Sequence, residues 1–266
     1  MGTFTNSWAL IGQCFAVLKK DKELLLFPVF SAIAAVLLFV GFLFPLLFSP
    51  LYGKDAGLIV LVLLYFLISF AVIFFNTALI ACAKHRLEGN NPTLGYGFTF
   101  AFSRMGSILG WALISATVGI ILRVLSGKSG NNTLGRIVIS LLGLAWSLLT
   151  FFVIPVFAFE KVGVIEAIKR SGGLFRKTWG ENVVGQFSIG AGFMALFLLL
   201  IIGAVFSLFA RIPQLLAVFA LAFVLLLILS SALQAIFVAA LYMYSTTGRV
   251  PNVFEEKLVK SAFVQR

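Results

Sequence analysis

Four cations, Lys169, Arg170, Arg176 and Lys177, crowd into Val162–Asn182, the most basic stretch of the sequence, between two long apolar runs. Read at helical spacing, they fall mostly opposite Ile165, Ile168, Phe175 and Trp179. The segment therefore reads as a helix over 164–179 lying on a membrane surface, its apolar side down and its cations toward anionic headgroups. Trp8 and Trp179 have the amphipathic rings that anchor a chain at a membrane–water boundary. The other reading is a cytoplasmic loop, because Gly172 and Gly173 each cost a helix about 1 kcal/mol relative to Ala.

Other chemistry is sparse. The sequence holds no HExxH, no GxSxG, no phosphate-binding loop and no paired catalytic carboxylates, so an enzyme is not expected. Glu88, Glu160, Glu166 and Glu181 each lie near a basic residue, as solvated interfacial pairs do. His85 stands between Lys84 and Arg86, and Cys14 and Cys82 lack ligand spacing, so neither a metal nor a cofactor is implied. The polar residues deep in apolar runs are Asn76 and Gln234. They serve either as interhelical hydrogen-bonding glue or as the lining of a polar path.

Composition sets the class. Of 266 residues 61% are hydrophobic and only 11% charged, and the mean hydropathy is +1.12. A water-soluble domain carries about 25% charged residues, so this is an integral membrane protein. The long apolar runs select an all-α bundle over a β-barrel. A net charge of +11 does not point to nucleic acid, since no soluble domain exists to carry it.

Six spans follow, over 24–48, 57–83, 107–125, 137–159, 183–209 and 214–244. The first, at 1.5 Å per residue, is roughly 37 Å long and crosses a core of about 30 Å with tilt. Pro45 is expected to kink or end it, and Pro155 to interrupt the fourth. Arg123 lies near the outer end of the third, where it snorkels to the interface. Amphipathic helices are expected at 4–19, with Phe4, Trp8, Ile11, Phe15 and Leu18 on one stripe, and at 92–104, with Asn91 as N-cap and Leu94, Phe98, Phe102 and Met105 on one face. With 164–179 these make three cytoplasmic-face helices on a single transmembrane domain, 1–244, followed by a cytoplasmic tail, 245–266. One helix plus two spans recurs over 4–83, 92–160 and 164–244. That is the pattern of a three-unit pseudo-repeat, and equally of six spans joined by short outer turns.

Among the 20 Lys and Arg, only Lys54, Arg123, Lys128, Arg136 and Arg211 fall on the side away from the N-terminus. The positive-inside rule then puts both termini in the cytoplasm and the three surface helices at the inner leaflet, facing anionic lipids.

Ser7–Leu10 with Lys22–Pro28, Arg86–Gly89, Pro92–Leu94, Gly110–Ala112 and Glu166–Ser171 together resemble an uncharacterised family of multi-pass prokaryotic membrane proteins, domain of unknown function 6159. The Ala-x-x-x-Ser element before a Trp is distantly similar to membrane domains attached to bacterial glycerophosphodiester phosphodiesterases. These resemblances imply a prokaryotic cytoplasmic membrane and supply no catalytic residues.

The expected function is a non-enzymatic multi-pass protein that binds or moves a lipid or another amphiphile at the inner leaflet. The alternatives are a channel or facilitator for a small neutral solute, with Asn76 and Gln234 on its path, and a structural membrane subunit. Small-residue faces at Ser115/Gly119, Gly185/Ser188/Gly192 and Ser231/Ala235/Ala239 fit contacts within the chain, in a homo-oligomer or with another membrane protein.

Overall fold

The computed structural model describes residues 3–48, 54–129, 132–179 and 184–248; for 3–11, 45–48, 54–55, 177–179 and 184–192 it describes the backbone alone. The described residues form helices joined by turns, with no strand. In order these are α1 (Thr3–Lys20), a 3-10 turn (Lys22–Leu25), α2 (Leu26–Phe48), α3 (Lys54–Leu87), α4 (Leu94–Ser103), α5 (Met105–Lys128), α6 (Thr133–Leu149), α7 (Val153–Glu160), α8 (Val164–Trp179), α9 (Val184–Phe209) and α10 (Pro213–Thr247). Among the described residues five stretches are long and apolar enough to cross a membrane: Lys22–Phe44, Ala56–Leu87, Met105–Lys128, Thr133–Glu160 and Pro213–Thr247. The other expected span coincides with α9, whose described side chains make the shorter apolar stretch Phe193–Phe209. The tail beyond Gly248 lies outside the described residues.

Element ends follow local chemistry. Pro45 does not end α2, which runs on to Phe48. The cap of α4 is Thr93, not Asn91: its hydroxyl accepts the Tyr96 N–H at 3.2 Å, and Pro92 stays outside the helix. A hydroxyl two residues nearer the apolar run displaces the earlier candidate, and Asn91, preceding a proline, is biased to extended backbone. The link between the spans expected at 107–125 and 137–159 is shorter, since α5 continues to Lys128 and Asn132 caps α6 by accepting the Gly135 N–H at 3.3 Å. The break near Pro155 falls at 150–152. A proline ring collides with the carbonyl four residues earlier, here that of Phe151, so the chain leaves the helix there and restarts as α7. Arg211 turns α9 into α10 in the left-handed region, φ +55°, and Pro213 opens α10, where its missing N–H costs nothing.

The chain packs as two units whose bounds do not follow the three segments expected from the sequence. The first comprises Met1–Pro28, Ala83–Asn91 and Lys177–Arg266. In it α1 packs on α9 and α10. Cys14, Val17, Leu18, Leu24 and Phe27 are buried, as are Ala232, Leu233 and the run 235–242 of α10. The second unit comprises Val29–Cys82 and Pro92–Arg176. Its buried residues lie in the second half of α3, the start of α5, α7 and one face each of α4 and α8. Phe98 of α4 meets Phe30, Phe74 and Phe75 with ring centroids 5.9–6.3 Å apart.

Candidate membrane-interface site

The helix carrying the four cations forms over the expected bounds, Val164–Trp179. Its docked face differs from the expected stripe. Ala167, Ser171 and Leu174, spaced four and three apart, are buried, while Ile165 is 60% exposed. Beside this face a neighbouring side chain comes close: a Cβ on Gly172 would lie 2.5 Å from the Leu149 side chain. Gly172 thus serves this contact, which offsets its low helix propensity.

Ser171 fixes the docking. Its hydroxyl accepts the Phe152 N–H at 2.9 Å, and the residue is fully buried. Phe152 stands where Pro155 forced α6 and α7 apart, so α8 supplies a partner for a backbone donor at the break. An unpaired buried donor costs about 1–3 kcal/mol. Arg170 leans back across the same unit, its Nε 3.0 Å and 3.4 Å from the two Glu160 oxygens. That is the interfacial pairing expected of Glu160. Lys169 and Arg176, two turns apart, are exposed on the stripe of Ile165, and among the described residues they form no ion pair. Lys177 and Trp179 lie in the backbone of α8, and Trp8 in that of α1; their side chains are outside the described residues.

α1 and α4 share this arrangement. In α1 the buried face is Cys14, Val17 and Leu18, while Phe15 is 39% exposed under the Lys19 ammonium, 5.1 Å from the ring centroid. Burial pushes the Cys14 thiol up to about 12, which keeps it protonated and inert. In α4 Gly97 and Ala101 are buried and Phe102 is exposed. Each helix turns compact side chains inward and leaves a large apolar one outside.

Sequence reasoning missed one polar cluster in the first unit. The Arg86 guanidinium donates to Asp21 Oδ2 at 3.1 Å, to the Lys20 carbonyl at 3.2 Å and to the Asn90 carbonyl at 3.3 Å. It clamps the C-terminal end of α1 to that of α3, where unpaired carbonyls carry partial negative charge. Asp21 is only 6% exposed. Burial raises its carboxyl above the ordinary 3.8, against the opposing pull of Arg86. The available signal was an aspartate in a run of lysines directly after an amphipathic helix.

Asn76 is half-buried in α3 and Gln234 is exposed on α10. They belong to different units and have no shared site within either one. Among the described residues no three of His, Cys, Asp and Glu form a metal-ligating group.

No curated protein and no solved structure matches the chain, and the similarity to the phosphodiesterase membrane domains has no counterpart among the matches. One family profile does match, over residues 55–252, and covers α3 through α10. The chain accordingly belongs to that family, described as a family of unknown function, DUF6159.

Proposed function

We propose that the protein is a non-enzymatic membrane protein that holds or moves anionic lipid at the inner leaflet through the exposed stripe of α8. The carrying observation is the division of α8 between a docked face, Ala167, Ser171 and Leu174, and an exposed stripe, Ile165, Lys169 and Arg176. An isoleucine between cations suits a boundary where acyl chains begin and phosphates end. Arg170 and Lys177 widen the cationic side, Arg170 positioned by Glu160, and Trp8 and Trp179 serve as interface anchors. In this reading α9 completes six spans, the three surface helices share the cytoplasmic face of a prokaryotic cytoplasmic membrane with both termini, and the three segments are pseudo-repeats.

Ile165→Cys carrying an environment-sensitive fluorophore tests this, because both native cysteines are buried. Bilayers containing phosphatidylglycerol should give blue-shifted emission quenched by brominated acyl chains. Water-like emission there would remove the reading.

A second reading, a structural membrane subunit, draws on Gln234. Its exposed amide lies in a spanning helix between buried Leu233 and Ala235, and a bilayer offers it no hydrogen-bond partner. A neighbouring chain would supply one. Gln234→Leu should then dissociate a homo-oligomer or a stoichiometric partner, and unchanged assembly counts against this reading.

A further inference from the structure

The α5–α6 hairpin of the second unit carries two cations inside spanning helices that the proposed function does not use. Arg123 lies in Met105–Lys128 and Arg136 in Thr133–Glu160. Both are exposed, and among the described residues neither forms an ion pair. A cation in a spanning segment is costly, by about 2.5–3.5 kcal/mol at mid-depth, and usually marks a partner or a water-filled surface.

The register of the hairpin brings the two together. Trp111 of α5 and Trp146 of α6 stack with centroids 5.9 Å apart, which marks the faces the antiparallel helices turn to each other. Along the axis Arg123 lies roughly 18 Å beyond Trp111, and Arg136 roughly 15 Å beyond Trp146 in the same direction, so their depths differ by about one residue pair. At 3.6 residues per turn, Arg123 is rotated about 120° from Trp111 and Arg136 about 80° from Trp146. Because the helices run oppositely, both rotations lead to the same side of the hairpin.

A third group stands on that side. Gly119, one turn before Arg123, faces Tyr65 of α3 so closely that a Cβ would lie 2.5 Å from the phenol oxygen. The absent side chain admits the Tyr65 hydroxyl against α5, just below the two guanidinium groups. At this end the sequence sets one acid, Asp55, against Lys54, Arg123, Lys128 and Arg136.

We infer that Arg123 and Arg136, with the Tyr65 hydroxyl beneath them, form a phosphate-binding site at the end of the hairpin away from α8, filled by the headgroup of an anionic phospholipid of that leaflet. Two planar guanidinium forks on one side of adjacent helices match phosphate oxygens. The apolar face of α3 below them, with Val72 exposed on the stripe of Tyr65, is a surface for acyl chains. The site lies apart from the α8 stripe and stands whether or not that reading holds.

The test is native mass spectrometry of the full chain released from phosphatidylglycerol-containing bilayers. It is run on the wild-type chain and on a Lys169→Gln/Arg176→Gln background, so that lipid held at α8 is counted separately. Arg123→Gln and Arg136→Gln should each lower occupancy by about tenfold, the worth of one charged hydrogen bond. Tyr65→Phe should lower it less. Lys128→Gln removes the same charge on the opposite side of the hairpin and should leave occupancy unchanged. Equal losses for Lys128→Gln and the arginine variants would overturn the site, as would full occupancy in the Arg123→Gln/Arg136→Gln chain. Added inorganic phosphate separates the two sources of the ligand. Retention of the lipid supports the assignment, and its displacement overturns the lipid in favour of free phosphate.

Discussion

The two halves of α3 both carry long apolar runs and behave differently. From Leu58 to Leu63 every large side chain but Val60 is exposed, Leu58 by 66%; from Ile73 to Cys82 nearly every residue is buried. α10 repeats the contrast, with Val218, Leu221, Val224, Leu225 and Leu227 exposed and the run 235–242 buried. Hydropathy alone would not pick out the buried halves, since the exposed ones are at least as apolar; the buried ones are richer in small side chains. The buried stretches read ALIACA at 78–83 and AIFVAA at 235–240, and the exposed ones LIVLVL and VFALAFVLLL. Lipid tails solvate leucine as well as a protein interior does, so burial in a membrane is won by close packing of small residues. In α1, α4 and α8 small residues likewise sit on the docked face, with Cys14, Gly97, Ala101, Ala167 and Ser171 buried.

Thermal unfolding in detergent can break or sharpen this contrast. The largest effect is expected where α3 ends in the clamp. Arg86→Met strands the buried Asp21 carboxylate and should cost about 3 kcal/mol near neutral pH. The Asp21 carboxyl already sits above 3.8 in the folded chain, so the native state holds that proton more tightly than the unfolded one. Its favourable share is full below 3.8 and fades as pH rises through the raised value. Acidification should therefore shrink the Arg86→Met deficit, leaving the loss of the two carbonyl bonds. A pH-independent deficit would show that the carboxylate is not what the arginine serves.

Next comes Ala81→Leu in the fully buried stretch, expected to cost about 2 kcal/mol by overpacking. Ser171→Ala, which leaves the Phe152 N–H without its acceptor, should cost roughly 1–2 kcal/mol. Leu58→Ala on the exposed half should change stability by less than about 0.5 kcal/mol. A Leu58→Ala loss as large as that of Ala81→Leu would place the same packing in both halves and end the distinction.

Much of this was legible in the chain. Long apolar runs and basic clusters gave the helical membrane class, and the bounds of α8 and the turn at 210–213 agree to within a residue. The faces were not legible. Ile165 and Phe15 belong to amphipathic stripes by periodicity, yet the helices dock on Ala167–Ser171 and Cys14–Val17, because periodicity reports where apolar residues lie and not which neighbour comes close. Thr93 and the break at Phe151 depended on competition between adjacent caps and on a clash four residues upstream. The Asp21–Arg86 pair joins residues 65 apart, beyond the reach of local pattern.

The central claim is that the cationic stripe of α8 holds anionic lipid. Its most direct test is native mass spectrometry of the chain released in gentle detergent, comparing wild type with the charge reversal of Lys169, Arg170, Arg176 and Lys177 to Glu. A stoichiometric anionic phospholipid on the wild type that is lost from the variant, with the lipid at the Arg123–Arg136 site retained, is the predicted result. Equal retention by the two chains would contradict the account.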